Sequence, residues 1–212
     1  MRRFVLLALL SATTLRAPAA AQTTPALTAS LRIAAASDLR FALDEALVGF
    51  RSMYPSVQIE ATYGSSGSFF AQIREGAPFD VFLSGDADYA ERLSNEGLGE
   101  PPFAYAIGRL VLAVRKDSGF DPRGFAELLK GPGIRRLAIA NPAHAPYGRA
   151  AVATLRSWKI YDAVAPRLVF GESVSQAAQY VDAGAAQAGL IALALTRVKD
   201  SKLVFAEIPE GI

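Results

Sequence analysis

The stretch Leu31-Arg32-Ile33-Ala34-Ala35-Ala36-Ser37-Asp38-Leu39-Arg40-Phe41-Ala42-Leu43-Asp44-Glu45-Ala46-Leu47-Val48-Gly49-Phe50 changes its period halfway. Residues 31–36 form a short apolar run of the kind a buried strand shows, whereas Leu39, Leu43, Ala46, Leu47 and Phe50 recur at helical spacing. A strand therefore runs straight into a helix, and Ser37-Asp38 sits at the junction.

Outward from this unit the same alternation continues. Residues 57–63 predict a strand and 69–75 a helix; 80–84 predict a strand and 88–96 a helix, which Gly97 and Gly99 terminate. Pro101-Pro102 breaks the pattern. Beyond it, 105–114 predicts a strand, and the segments 125–129, 137–140, 149–158 and 168–170 carry the alternation on to a helix at 175–183 and a strand at 188–193. No hairpin signal separates neighbouring strands, so the fold class is α/β, with mainly parallel sheets covered by helices. The break divides the chain into a first lobe, residues 30–104, and a second, residues 105–200. Residues 105–110 are the first crossover strand between them, and a return crossover within residues 201–212 is the second.

Four strand ends run into helices through small or polar residues: Ser37-Asp38, Gly64-Ser65-Ser66-Gly67, Pro146-Tyr147-Gly148 and Ser173-Val174. A helix start leaves N–H groups unpaired and carries partial positive charge, so it can hold an anion with no lysine or arginine. Taken singly, Ser37 and Ser173 read as ordinary N-caps and the glycine-flanked serines as a tight turn. Two such starts in each lobe point instead to a cleft that closes on a small anion, at the carboxyl ends of the strands where open α/β sheets bind ligands. A fully deprotonated oxyanion offers only acceptors, which suits a pocket of hydroxyls and amide hydrogens.

The N-terminus carries an export signal: Arg2-Arg3, an apolar run over residues 4–10, and Ala19-Ala20-Ala21 before Gln22. Ser11, Thr13, Thr14 and Arg16 interrupt the run well short of the roughly 20 apolar residues that span a bilayer. Cleavage near Ala21/Gln22 removes three of the 22 basic residues and no acid. The remainder then stands one charge short of its 20 acidic residues, a net charge of about −1, with no basic stripe for nucleic acid. Zero cysteines exclude disulfides, thiolate metal sites and a cysteine nucleophile. One histidine, His144, leaves a metal site only scattered carboxylates. An exported serine hydrolase would have to pair Ser66 with His144, and the sequence around Ser66 makes no Gly-x-Ser-x-Gly elbow. Asp86 and Asp88 read as a helix-start pair.

Ala34-Ala35-Ala36-Ser37-Asp38-Leu39, Tyr63-Gly64-Ser65-Ser66-Gly67, residues 76–84 (GAPFDVFLS) and residues 141–148 (NPAHAPYG) together resemble the periplasmic molybdate-binding proteins, over about residues 31–209. The resemblance implies a two-lobe type II periplasmic binding fold, no catalysis and no cofactor. It implies molybdate or tungstate held as the oxyanion between the lobes, with molybdenum never coordinated as a bare cation. The implied contacts are Ser37 and Ser66 through hydroxyl and N–H, and Asp38, Tyr147 and Val174 through N–H. A membrane permease of an ABC transporter is the implied partner of a monomeric protein; another oxyanion or a small organic acid is the alternative cargo. Where some members supply a tyrosine hydroxyl, this chain has Ala192, so that donor is either absent or replaced by Tyr147. The Asp38 carboxylate, which would repel a dianion, is expected to face away and cap its helix. Members also continue past the position of Ile212, so the resemblance implies a first lobe lacking its C-terminal part.

Overall fold

The computed structural model describes residues 29–209; the expected signal, residues 1–21, and the last three residues of the return crossover lie outside the described residues. The chain builds two sheets. In the smaller, β1 (Ser30–Ala36) lies between β2 (Gln58–Gly64) and β3 (Val81–Leu83), parallel to both. Because side chains alternate along a strand, Ile33 and Ala35 meet one layer, α1 (Arg40–Met53), and join Leu47, Leu39, Leu43 and Ile59. Helices α2 (Ser66–Arg74) and α3 (Ala87–Asn95) pack together around Phe70, Tyr89 and Leu93, with Ile73 and Phe82.

The larger sheet has the order β6-β5-β7-β4-β8, from β4 (Leu110–Arg115), β5 (Leu137–Ala140), β6 (Leu168–Gly171), β7 (Ala188–Ala192) and β8 (Leu203–Glu207). β5 runs parallel to β6 and β7, while β4 is antiparallel to both β7 and β8. Every residue of β5 and β7 is buried, as expected of apolar strands covered on both faces. On one face α4 (Phe125–Lys130), α5 (Pro146–Ser157) and α6 (Tyr161–Val164) surround Leu112, Ile139, Leu155 and Leu190. On the other, α7 (Val174–Asp182) packs Ala177 and Val181 against Val111, Ala138 and Ile191.

One expectation changes. The strand predicted from residue 105 begins only at Leu110, and residues 101–109 are irregular. Their apolar side chains mimic a strand, yet Phe103 and Ile107 are 84% and 89% exposed, and no described strand lies alongside to pair with them. The segment expected to return toward the first lobe is, as far as it is described, β8, bonded to β4 within the larger sheet.

Candidate functional site

The ends of β1, β2, β5 and β6 each lead into a helical start, and these starts meet. Ser37, Asp38, Ser66, Tyr147 and Val174 line one cavity, together with Ala36, Gly64, Ser65, Gly85, Ala145 and Pro146. All five residues expected at the site are therefore brought together, three from the smaller-sheet half and two from the larger. The cavity measures ≈ 10 Å³, about the room one water molecule needs. No lysine or arginine lines it.

Local sequence explains each start. Ser65 caps α2, its hydroxyl accepting from Ser68 N–H at 3.3 Å, and Ser173 caps α7 by accepting from Gln176 N–H at 3.3 Å. Pro146 occupies the first turn of α5, where a missing N–H costs nothing. Ser66 and Val174 are the first residues of their helices and Tyr147 the second of its own, so their N–H groups fall among those that intrahelical bonding leaves over. Asp86 caps α3 by accepting from Asp88 N–H at 3.1 Å, as a helix-start pair should.

Neither Ser37 nor Ser66 is a cap. Ser66, 1% exposed, accepts from Gly85 N–H at 2.9 Å, and Ser37 accepts from Ser175 N–H at 3.2 Å. A hydroxyl carries one hydrogen and two lone pairs; the N–H seated on each oxygen takes one lone pair and leaves the hydrogen free to donate. Ser175 closes the loop by donating its own hydroxyl to the Ser37 carbonyl at 2.8 Å. Gly85 and Ser175 thus orient the two donors. Sequence reading missed both, because their partners lie 19 and 138 residues away.

Asp38 departs from expectation. Its side chain makes no cap: Ala36 is the residue before the turn 37–39, and a side chain inside the first turn cannot take a cap's place. The carboxylate is instead buried at the cavity, 9% exposed, where Oδ2 accepts from the Tyr147 hydroxyl at 3.1 Å and Oδ1 has no partner among the described residues. Burial pushes the Asp38 carboxyl up from its ordinary value, against the smaller opposing pull of the Tyr147 hydroxyl and its own backbone. The Tyr147 phenol is pushed up as well, by burial first and the Asp38 charge next. Tyr105 rises to about 12 for the same two reasons, and it donates its hydroxyl to the Ser84 carbonyl at 2.9 Å. Since Tyr147 spends its hydroxyl on Asp38, it does not replace a missing tyrosine donor. Ala192 itself is buried in β7 opposite Leu110 and does not line the cavity.

Around the cavity the two halves are clasped. Gly67 N–H donates to the His144 carbonyl at 2.9 Å, and a Cβ at Gly67 would meet that oxygen at 2.4 Å, so only glycine permits this approach. His144 Nδ1 lies 2.8 Å from Ser65 Oγ and Nε2 lies 3.3 Å from the Glu172 carboxylate. Arg149 reaches from α5 to the Asp86 carboxylate and to the Tyr89 hydroxyl, the latter at 2.8 Å. The serine next to His144 is Ser65, not Ser66, and its oxygen is already engaged as a helix cap and by Ser68 Oγ at 2.9 Å. That geometry gives no support to Ser66 and His144 as a nucleophile and base.

The chain matches the family model described as bacterial extracellular solute-binding protein over residues 31–212. It is 40% identical over 148 residues to the molybdate-binding protein ModA of Azotobacter vinelandii, covering 69% of this chain and 58% of that protein. It is also 40% identical over 132 residues to ModA of Rhodobacter capsulatus, covering 61% of this chain and 51% of the relative. The chain thus spans little more than half the length of these curated relatives. Among solved structures, the Azotobacter vinelandii periplasmic molybdate-binding protein superposes with a TM-score of 0.78 at 34% identity, over 84% of this chain and 79% of that one. The sulfate-binding protein SubI of Mycobacterium tuberculosis shares the fold, with a TM-score of 0.64 at 16% identity over 84% of this chain and 71% of that one.

Proposed function

Since this chain belongs to the bacterial extracellular solute-binding proteins, we propose that it captures molybdate or tungstate between its two halves and delivers the anion to the membrane permease of an ABC importer. In this reading it works in the periplasm as a monomer, after cleavage near Ala21/Gln22, and performs no chemistry on its cargo. Residues 30–104 and 105–200 are the two lobes. The contacts are the hydroxyl and N–H of Ser37 and Ser66 and the N–H groups of Asp38, Tyr147 and Val174.

The observation that carries the reading is the cavity itself: helix starts from both sheets converge on it, its Ser37 and Ser66 hydroxyls are held by N–H groups that leave their hydrogens free to donate, and no lysine or arginine lines it. Helix termini and uncharged donors suffice for an anion, each charge-assisted hydrogen bond contributing about 1.5–3 kcal/mol. The named relatives support molybdate as the cargo. Size supplies selectivity, because a donor ring fitted to the larger ion loses bonds around sulfate, and each desolvated, unpaired donor costs about 1–3 kcal/mol. Calorimetric titration with molybdate, tungstate, sulfate and phosphate tests this. Molybdate and tungstate should bind tightly and sulfate weakly; tight sulfate binding with no molybdate heat overturns the assignment.

A further inference from the structure

Within the proposed anion site one group has the wrong polarity. The cavity is lined by three serines, Ser37, Ser65 and Ser66, by the starts of three helices, and by Asp38. An ionised carboxylate only accepts, and Oδ1 is buried with nothing to accept from among the described residues. We propose that Asp38 holds the bound oxyanion as a neutral carboxylic acid, its Oδ1–H donating to an anion oxygen, so that capture takes up one proton. The step is the protonation of a carboxylate by solvent as the ion enters; no other bond forms or breaks. It rests on the oxyanion reading given above.

The geometry assigns which oxygen carries the hydrogen. A carboxylic acid keeps one accepting oxygen, and Oδ2 already takes the Tyr147 hydroxyl at 3.1 Å. That hydroxyl is confined on its other side by the backbone of Gly108, where a Cβ would approach it to 2.4 Å. Oδ1 is therefore the oxygen left to bear the proton.

Of the surroundings, the Tyr147 hydroxyl and the backbone of Asp38 itself favour the charged form, and burial outweighs them. From α5 it meets Tyr147, and from the irregular segment before β4 it feels Tyr105, both neutral at physiological pH. The start of α7 presents Val174 and Ser175, and residues 193–196 carry no ionisable group. The end of β2 brings Tyr63, whose hydroxyl goes to Asp44 of α1 and whose ring lies under the Arg40 guanidinium at 4.9 Å. Burial, the dominant influence on Asp38, favours its neutral form.

The test is isothermal titration of the full chain with sodium molybdate from pH 6 to 8, in buffers of differing ionisation enthalpy. Above the Asp38 pKa of the free protein, the wild type should take up about one proton per anion and lose affinity about tenfold per pH unit. Asp38→Asn supplies a permanent amide donor, so its proton uptake should vanish, its affinity should stay flat with pH, and at pH 8 it should bind molybdate more tightly than the wild type. Tight molybdate binding by the wild type with no proton uptake overturns this inference and leaves the transport reading standing; this measurement needs no variant to fold. Undiminished uptake in Asp38→Asn overturns it as well. Tight hydrogen phosphate binding beside weak molybdate binding would make Asp38 an ionised acceptor for the ligand's own proton, which overturns both readings, as does a protein that binds none of the four oxyanions.

Discussion

Ser37 and Ser66 would each be indifferent hydroxyls on a surface, able to turn either way. Inside the cavity Ser175 and Gly85 fix their sense, one from across the cleft and one from within the same half. In the proposed site, removing the Ser66 hydroxyl deletes a bond to a charged ligand, about 1.5–3 kcal/mol. Ser66→Ala should therefore weaken molybdate binding about 10- to 100-fold in calorimetry, with a melting temperature lowered by a few degrees because the Gly85 N–H loses its acceptor. Both serines were legible in the sequence because small polar residues between an apolar run and a helical period mark a helix start. The orientation of Asp38 was not, because its hydrogen-bond partner Tyr147 lies 109 residues away and no local pattern announces it.

For the elements, the local periods are a good guide where burial enforces them. β5 and β7 are fully buried apolar runs, and α2, α3, α5 and α7 start where a serine, an acidic cap or a proline allows. Residues 105–109 show the converse: the same kind of side chains, without a partner strand, leave an exposed connector. Helix α2 carries the sharpest prediction at this scale, since its first turn touches the opposite half through Gly67. Gly67→Ala places a methyl group 2.4 Å from the His144 carbonyl oxygen, so one side must retreat. We expect a loss of molybdate affinity of at least tenfold with a near-native melting temperature in the absence of ligand. The contrast separates a closure defect from a folding defect, because alanine is otherwise the better helix former, by about 0.8–1.0 kcal/mol.

Seen whole, the molecule consists of two cores that meet through polar contacts rather than a shared apolar layer. The cross-cleft bonds of Gly67, Ser65, Tyr147, Ser175 and Arg149 join residues far apart in sequence, which is why composition and period predict two halves and a cleft yet say nothing of how they lock. Arg149 is the test case at this scale. Arg149→Met keeps much of the side chain's bulk and removes its bonds to Asp86 and Tyr89. Small-angle scattering should then show a larger radius of gyration without ligand, contracting when molybdate is added, with affinity reduced in proportion to the closed fraction lost. An unchanged radius would mean that the clasp does not set the closed population.

Arg149, Asp86 and Tyr89 lie beside the cavity without lining it, so their grip does not depend on cargo. A transporter that recognised closure alone would then receive vacant copies as readily as loaded ones, and each vacant visit would occupy a docking turn. Under the transport reading proposed above, the strength of that three-residue grip is therefore bounded from above: a tighter one would hold the anion longer while sending more vacant copies to the importer.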